Sequence, residues 1–153
     1  AVAVAAEYIC PKPRQEFFAN MGAANIDLKA FSDKFYYQLC GGKLADVLDT
    51  ILYVKHETNT WLELTTLLIP GENDSAKEIE ALSSWIMDKL GPDVPLHFTA
   101  FHPDFRMRDK SNTLPLSLFS KNHTRSFTNS PKGFLWKPAA GSQSPAASSG
   151  RGD

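Results

Sequence analysis

The strongest constraint on this chain is an alternation of two periods. Short apolar runs built from small, β-branched or aromatic residues lie at 1–9, 23–30, 61–69 and 95–100, and the stretches between them carry helix signals. The first run, AVAVAAEYI, lacks polar alternation, as expected of a strand covered on both faces. Pro11 and Pro13 break it, and Pro13 suits the first turn of a helix that reaches Met21, with Phe17, Phe18 and Met21 inward and Gly22 as the stop. In the second run, AANIDLKA, Asp27 and Lys29 point the same way because side chains on a strand alternate. The connection FSDKFYYQLCGG has room for a short helix. Leu44, Val47, Leu48, Ile51 and Leu52 then recur at helical spacing. The run WLELTTLLI stops at Pro70-Gly71, and Asn73 and Asp74, with Ser75, supply cap candidates for the next helix. That helix keeps Ile79, Leu82, Trp85, Ile86 and Leu90 on one side until Gly91-Pro92 ends it, and PLHFTA is the last strand.

The order β-α-β-α-β-α-β implies right-handed crossovers and an α/β fold, a parallel sheet with flanking helices. Ligands in such folds bind at the carboxyl ends of the strands. The polar residues read as lying late in each strand or just after it are Asp27, Lys29, Glu63, Thr65, His97 and His102. Four strands fall short of the roughly eight of a closed barrel. The glycine-rich phosphate turn that opens a dinucleotide-binding sheet is absent from the sequence.

Composition removes several classes. A net charge of −1 over 153 residues gives no basic footprint for nucleic acid. No apolar run reaches the roughly 18 residues that a membrane span needs, and no basic region precedes the opening strand as in a signal peptide, so a soluble cytoplasmic protein is expected. Cys10 and Cys40 fit neither a CxxC redox pair nor a zinc knuckle and are read as unpaired, partly buried thiols. The periodic pattern ends near Lys110, which gives a domain at 1–110 and a tail at 111–153, rich in Ser, Pro, Ala and Gly and expected to be disordered. The closing Arg151-Gly152-Asp153 spells an integrin-recognition tripeptide, and a sequence this short recurs by chance.

Three segments, AANIDLKAFSDKFYYQLCGGKLADVLDTI, WLELTTLLIPGENDS and LHFTAFHPDFRMRDK, taken in this order and spacing, carry a specific resemblance. Over roughly Tyr8 to Lys110 the chain resembles the radical S-adenosylmethionine enzymes of the AmmeMemoRadiSam system, relatives of the pyruvate formate-lyase activating enzymes. The resemblance implies a partial (β/α)6 TIM-like barrel. It also implies a 4Fe-4S cluster on a CxxxCxxC loop and a cofactor whose reductive cleavage yields a 5′-deoxyadenosyl radical. The small-molecule cofactor, S-adenosyl-L-methionine, and a protein substrate are the partners it implies. The sequence departs from the family in lacking any CxxxCxxC and the glycine-rich motif of the family's second strand. These four strands are therefore expected to be the later strands of the barrel, in a fragment that begins inside a strand at Ala1 and leaves the family's path after Lys110.

By the same resemblance, Asp27 and Lys29 match the DLK motif that contacts the methionine portion of the cofactor, and His102 matches the histidine that closes over it. Their bland readings are a strand-end ion pair and a loop histidine without a ligand. Glu63 and Thr65, on one face with Trp61, are substrate-side candidates or solvent-edge residues. His97 is read as a structural histidine, and Asn73 and Asp74 as the helix cap. Two functions follow: a fragment of a radical S-adenosylmethionine enzyme that is inactive alone, or a non-catalytic remnant or interaction module that uses its open sheet.

Overall fold

The computed structural model describes residues 1–6 and 8–114, so the expected tail lies outside them from 115 onward, with its closing tripeptide. Four parallel strands form one sheet in chain order: β1 (Val2–Ala5), β2 (Ala23–Asp27), β3 (Trp61–Leu68) and β4 (Leu96–Ala100). The crossovers are α1 (Pro11–Phe18), α3 (Leu44–Glu57) and α4 (Ala76–Lys89), and α2 (Asp33–Phe35) runs directly into a π-helical turn, Tyr36–Cys40. The π turn ends at Gly41, whose φ of 67° is costly for any residue with a Cβ. No helix among the described residues is long and apolar enough to cross a membrane.

Alternation along each strand divides the sheet into two unlike faces. Ala3, Ala24, Ile26, Leu62 and Leu64 are buried and share one core with Phe18 of α1, Val47, Ile51 and Val54 of α3, and Leu82 and Ile86 of α4. The helices therefore pack on a single face. Full burial of a side chain such as Ile26, Ile51 or Leu64 stabilises the fold by roughly 1.5–3 kcal/mol each. The opposite face, made of Val2, Val4, Ala23, Asn25, Asp27, Trp61, Glu63, Thr65, Leu67, His97 and Thr99, is partly or fully exposed. A doubly wound sheet carries helices on both faces and reverses its strand order. Sequential order with one-sided helices is the arrangement of barrel strands, whose second face looks inward.

Several expectations need correction. Among the described residues β1 is not covered on both faces: Val2 and Val4 are 70% and 78% exposed, because no described helix lies on their side. α1 stops at Phe18, which is buried, while Phe17 is exposed and touches it edge-on with ring centroids 5.0 Å apart. The cap of α4 is Ser75, whose hydroxyl accepts from the Glu78 N–H, and neither Asn73 nor Asp74 fills that role. Asp74 instead accepts from the Gly71 N–H. Cys10 and Cys40 are unpaired as expected, but both are exposed.

α1 is tied to α3 by one cation. Arg14, 7% exposed, donates to Asp49 Oδ2 at 2.6 Å and to Thr50 Oγ1 at 3.3 Å, and its guanidinium lies 4.5 Å from the centre of the Tyr53 ring. At the far end of the sheet, Thr113 returns to the strand ends: its hydroxyl accepts from the Phe101 N–H and donates to the Leu68 carbonyl.

Candidate functional site

The ladder of β2 ends at Asp27, and the Leu28 N–H turns back onto the Ile26 carbonyl at 3.1 Å, the kind of tight turn found at strand ends. Beyond that point the Lys29 ammonium meets Asp27 Oδ2 at 2.7 Å, with the two side chains 37% and 39% exposed. An ion pair this wet adds little to stability. What it supplies is an anion and a cation held side by side at the carboxyl end of the sheet.

The backbone that carries Lys29 has no strand partner, and side chains take its polar groups. The Lys29 N–H donates to Tyr36 Oη at 3.1 Å, and the Lys29 carbonyl accepts from Asn73 Nδ2 at 2.5 Å. Next to them, the Leu28 carbonyl accepts from Thr66 Oγ1 at 2.6 Å and the Phe31 N–H donates to Glu78 Oε1 at 2.8 Å. Asn73 is buried, and it also donates to the Leu67 carbonyl and accepts from the Ile69 N–H, which joins the ends of β2 and β3. Tyr36 is buried too, and burial, opposed by its backbone hydrogen bonds, pushes its phenol up to about 12.

A second polar group occupies the lower half of the open face. Trp61 Nε1 donates to Glu63 Oε1 at 3.0 Å, His97 Nε2 lies 3.0 Å from Glu63 Oε2, and Thr65 Oγ1 donates to Asn25 Oδ1 at 2.8 Å. The Trp61 hydrogen bond holds the Glu63 carboxyl below the usual glutamate range, with help from His97 and Asn25 and against the partial burial that would raise it. The register pairs Asn25 with Glu63 and sets Asp27, Thr65 and His97 in one row.

The expected site residues thus fall at different heights. Asp27 and Lys29 are in contact at the strand end. Glu63 is the third residue of β3 rather than a late one, two positions before Thr65, the register partner of Asp27, so it sits about 7 Å below Asp27. His97 is the second residue of β4 and is exposed, hydrogen-bonded to a carboxylate rather than enclosed in the core. His102 follows β4 at the same end as Lys29, exposed, and forms no hydrogen bond or ion pair with another described residue; no contact joins it to Asp27 or Lys29. Tyr36, Thr66, Asn73 and Glu78 were not anticipated as parts of this site. The available signal was Asn73 itself, an Asn two residues past a Pro-Gly stop and redundant as a cap beside Ser75.

The chemistry these groups allow is recognition of a zwitterion: a carboxylate for an ammonium and an ammonium for a carboxylate. A metal cluster does not fit the described residues. They hold no group of three or more His, Cys, Asp or Glu side chains gathered as a metal site requires, and the two thiols are separate and exposed. A shallow groove lined by Gln15, Met21, Tyr53 and Thr60 lies at the amino end of the strands, opposite to Lys29.

Sequential parallel strands, helices on one face and charged side chains at a strand's carboxyl end together define a segment of a barrel-type α/β domain. No protein-family profile matches the chain. It is 38% identical over 87 residues to an uncharacterised protein of Methanocaldococcus jannaschii, a match covering 57% of this chain and 26% of that protein, so the chain spans about a quarter of the relative's length. Among solved structures it is similar to a domain of pyruvate-formate lyase-activating enzyme from Bacteroides vulgatus, with a TM-score of 0.65, 18% identity, and coverage of 80% of this chain and 72% of that one. At that identity the likeness is one of fold.

Proposed function

We propose that this chain is part of a radical S-adenosylmethionine enzyme of the AmmeMemoRadiSam type and forms the edge of its cofactor site. The observation that carries the proposal is the Asp27–Lys29 pair, standing at the carboxyl end of a one-faced parallel sheet with the fold of a pyruvate-formate lyase-activating enzyme domain. The Asp27 carboxylate faces the amino group of the cofactor's methionine portion, the Lys29 ammonium faces its carboxylate, and His102 closes over the same edge. When bound, S-adenosyl-L-methionine supplies a sulfonium whose reductive cleavage gives a 5′-deoxyadenosyl radical. The chain's two cysteines, Cys10 and Cys40, are not grouped as the thiolates of a 4Fe-4S cluster require, so in this reading the cluster is held by other residues of the enzyme. Glu63 and Thr65 face the substrate, and a protein is the substrate class that the structural neighbour's name supports. The two exposed, unpaired thiols suit a reducing cytoplasm.

The test is an NMR titration of the isotope-labelled 153-residue chain with S-adenosyl-L-methionine, methionine and adenosine in turn. Methionine and the whole cofactor are expected to shift the amides of Leu28 to Ala30, and K29M and D27N to weaken that response about tenfold. No shift at millimolar ligand, or a response indifferent to both substitutions, overturns the proposal. A second reading, a non-catalytic interaction module, draws on the exposed Val2, Val4 and Trp61 of the open face. It is favoured if sedimentation shows self-association while the titration is silent.

A further inference from the structure

We infer that Tyr36, Thr66 and Asn73 are positioning residues for Lys29, and that the turn carrying Lys29 is held rigid by side chains so that a single ammonium is presented at a fixed place on the open edge. The inference rests on the proposed function only for the identity of the ligand.

The β2 ladder stops at Asp27, so residues 28–31 cannot take their hydrogen bonds from a neighbouring strand. An ordinary surface turn would leave such groups to water. Here four side chains take them instead: Tyr36 from the π-helical turn, Asn73 from the loop after β3, Thr66 from β3 itself and Glu78 from α4. Both backbone polar groups of Lys29 are held, its N–H by Tyr36 and its carbonyl by Asn73. Leu28 and Ala30, on either side, are 0% and 1% exposed, so each flank is anchored in the core. The Lys29 side chain is the part of this stretch that projects to the open face. Tyr36 opens a π-helical turn, a rare geometry that recurs at functional sites. Rigid backbone beneath a long, flexible ammonium lowers the ordering cost of any anion it binds.

Two near-isosteric variants test this without emptying the core. Y36F removes the acceptor of the Lys29 N–H, and T66V removes the donor to the Leu28 carbonyl. T50V is the control, because Thr50 is buried in α3 beside Arg14 and makes no bond to residues 28–31. The first measurement needs no ligand. In the labelled 153-residue chain, Y36F and T66V are expected to speed Lys29 amide exchange about tenfold more than that of Ile26. T50V is expected to affect both amides alike. If Y36F and T66V behave as T50V does, the positioning role is overturned.

The second measurement is methionine binding across the cycle of wild type, Y36F, K29M and the double variant. Y36F is expected to weaken binding about five- to tenfold in wild type, and to have no effect once Lys29 is already replaced. Equal weakening in both backgrounds overturns the inference. Should the wild-type chain bind no methionine, the cofactor proposal falls by itself, and the ligand-free arm alone decides whether Tyr36 positions Lys29.

Discussion

Replacing Asn73 is expected to loosen the carboxyl ends of β2 and β3 together. The Asn73 amide donates to the Lys29 and Leu67 carbonyls and accepts from the Ile69 N–H, and this set of partners fixes its orientation, since a flipped amide would face carbonyl with carbonyl. In N73A one buried N–H loses its acceptor and two carbonyls lose a donor. An unsatisfied buried group costs about 1–3 kcal/mol, and with some relaxation of the carbonyls toward water the total is about 3–5 kcal/mol. Set against the roughly 5–15 kcal/mol that hold a domain of this size, the urea midpoint should fall by about a fifth or more. N73D separates hydrogen bonding from shape. Its carboxyl keeps an acceptor for Ile69 but turns an anion toward two carbonyl oxygens, which raises its folded-state pKa above the unfolded value of about 3.9. The folded state then binds more protons than the unfolded state, so the stability of N73D should rise as pH falls from 7 toward 4. Wild type, whose amide does not titrate, lacks that component. The assay is urea unfolding followed by far-ultraviolet circular dichroism at both pH values. A loss below about 1 kcal/mol for N73A, or a flat difference between N73D and wild type across this range, would refute the stitching role.

Three further outcomes are expected. Because Glu63 is held below its ordinary value of 4.5, its contribution is complete above that pH and is lost as acid titrates it through the lowered value; Trp61 fluorescence should report this step and E63Q should remove it. Tyr36 resists ionisation up to about 12 while an unfolded tyrosine ionises near 10, so the fold should lose about 2–3 kcal/mol as pH rises between those values, and Y36F should abolish that alkaline loss in unfolding experiments. R14M keeps the packing of the stem but removes the bonds to Asp49 and Thr50; because Asp49 is largely in solvent, the cost should be about 1–2 kcal/mol in thermal unfolding, and no cost would show that the two helices do not depend on that cation.

What the sequence revealed depended on the range of the interaction that decides each feature. The α3 face, Leu44, Val47 and Ile51, is written in a local period and was readable residue by residue. So was the shared side of Asp27 and Lys29, which strand alternation dictates. The coverage of β1 was misread because Ala and Val suit a strand buried on both faces and one buried on a single face equally well; only the placement of helices decides between them. Phe17 and Phe18 are equivalent in composition, and the early end of α1 selects the second. The supports of Lys29 were out of reach. Tyr36 lies 7 residues from Lys29, Asn73 44, and Glu78 47 from Phe31; the redundancy of Asn73 as a cap beside Ser75 marks it as free for another role but does not say which strand it reaches.

The character of the open face weighs between the two readings of function. Val2, Val4 and Trp61 are exposed there, as an interaction module would require. Yet the centre of the face is polar: Asn25, Asp27, Glu63, Thr65 and His97 stand on three adjacent strands, with Lys29 just beyond β2, and they bond to one another in pairs. Packing a second apolar surface across that centre would strip water from the Asp27–Lys29 pair and the Glu63 carboxylate, at an effective cost of several kcal/mol per ion that apolar contact with Val2, Val4, Trp61 and Leu67 around it would have to offset. A polar ligand replaces that water with hydrogen bonds instead. An inner face with apolar margins and a bonded polar centre is suited to a lined cavity, with the margins meeting neighbouring strands and the centre meeting a small charged molecule, which is the arrangement the cofactor-edge proposal requires.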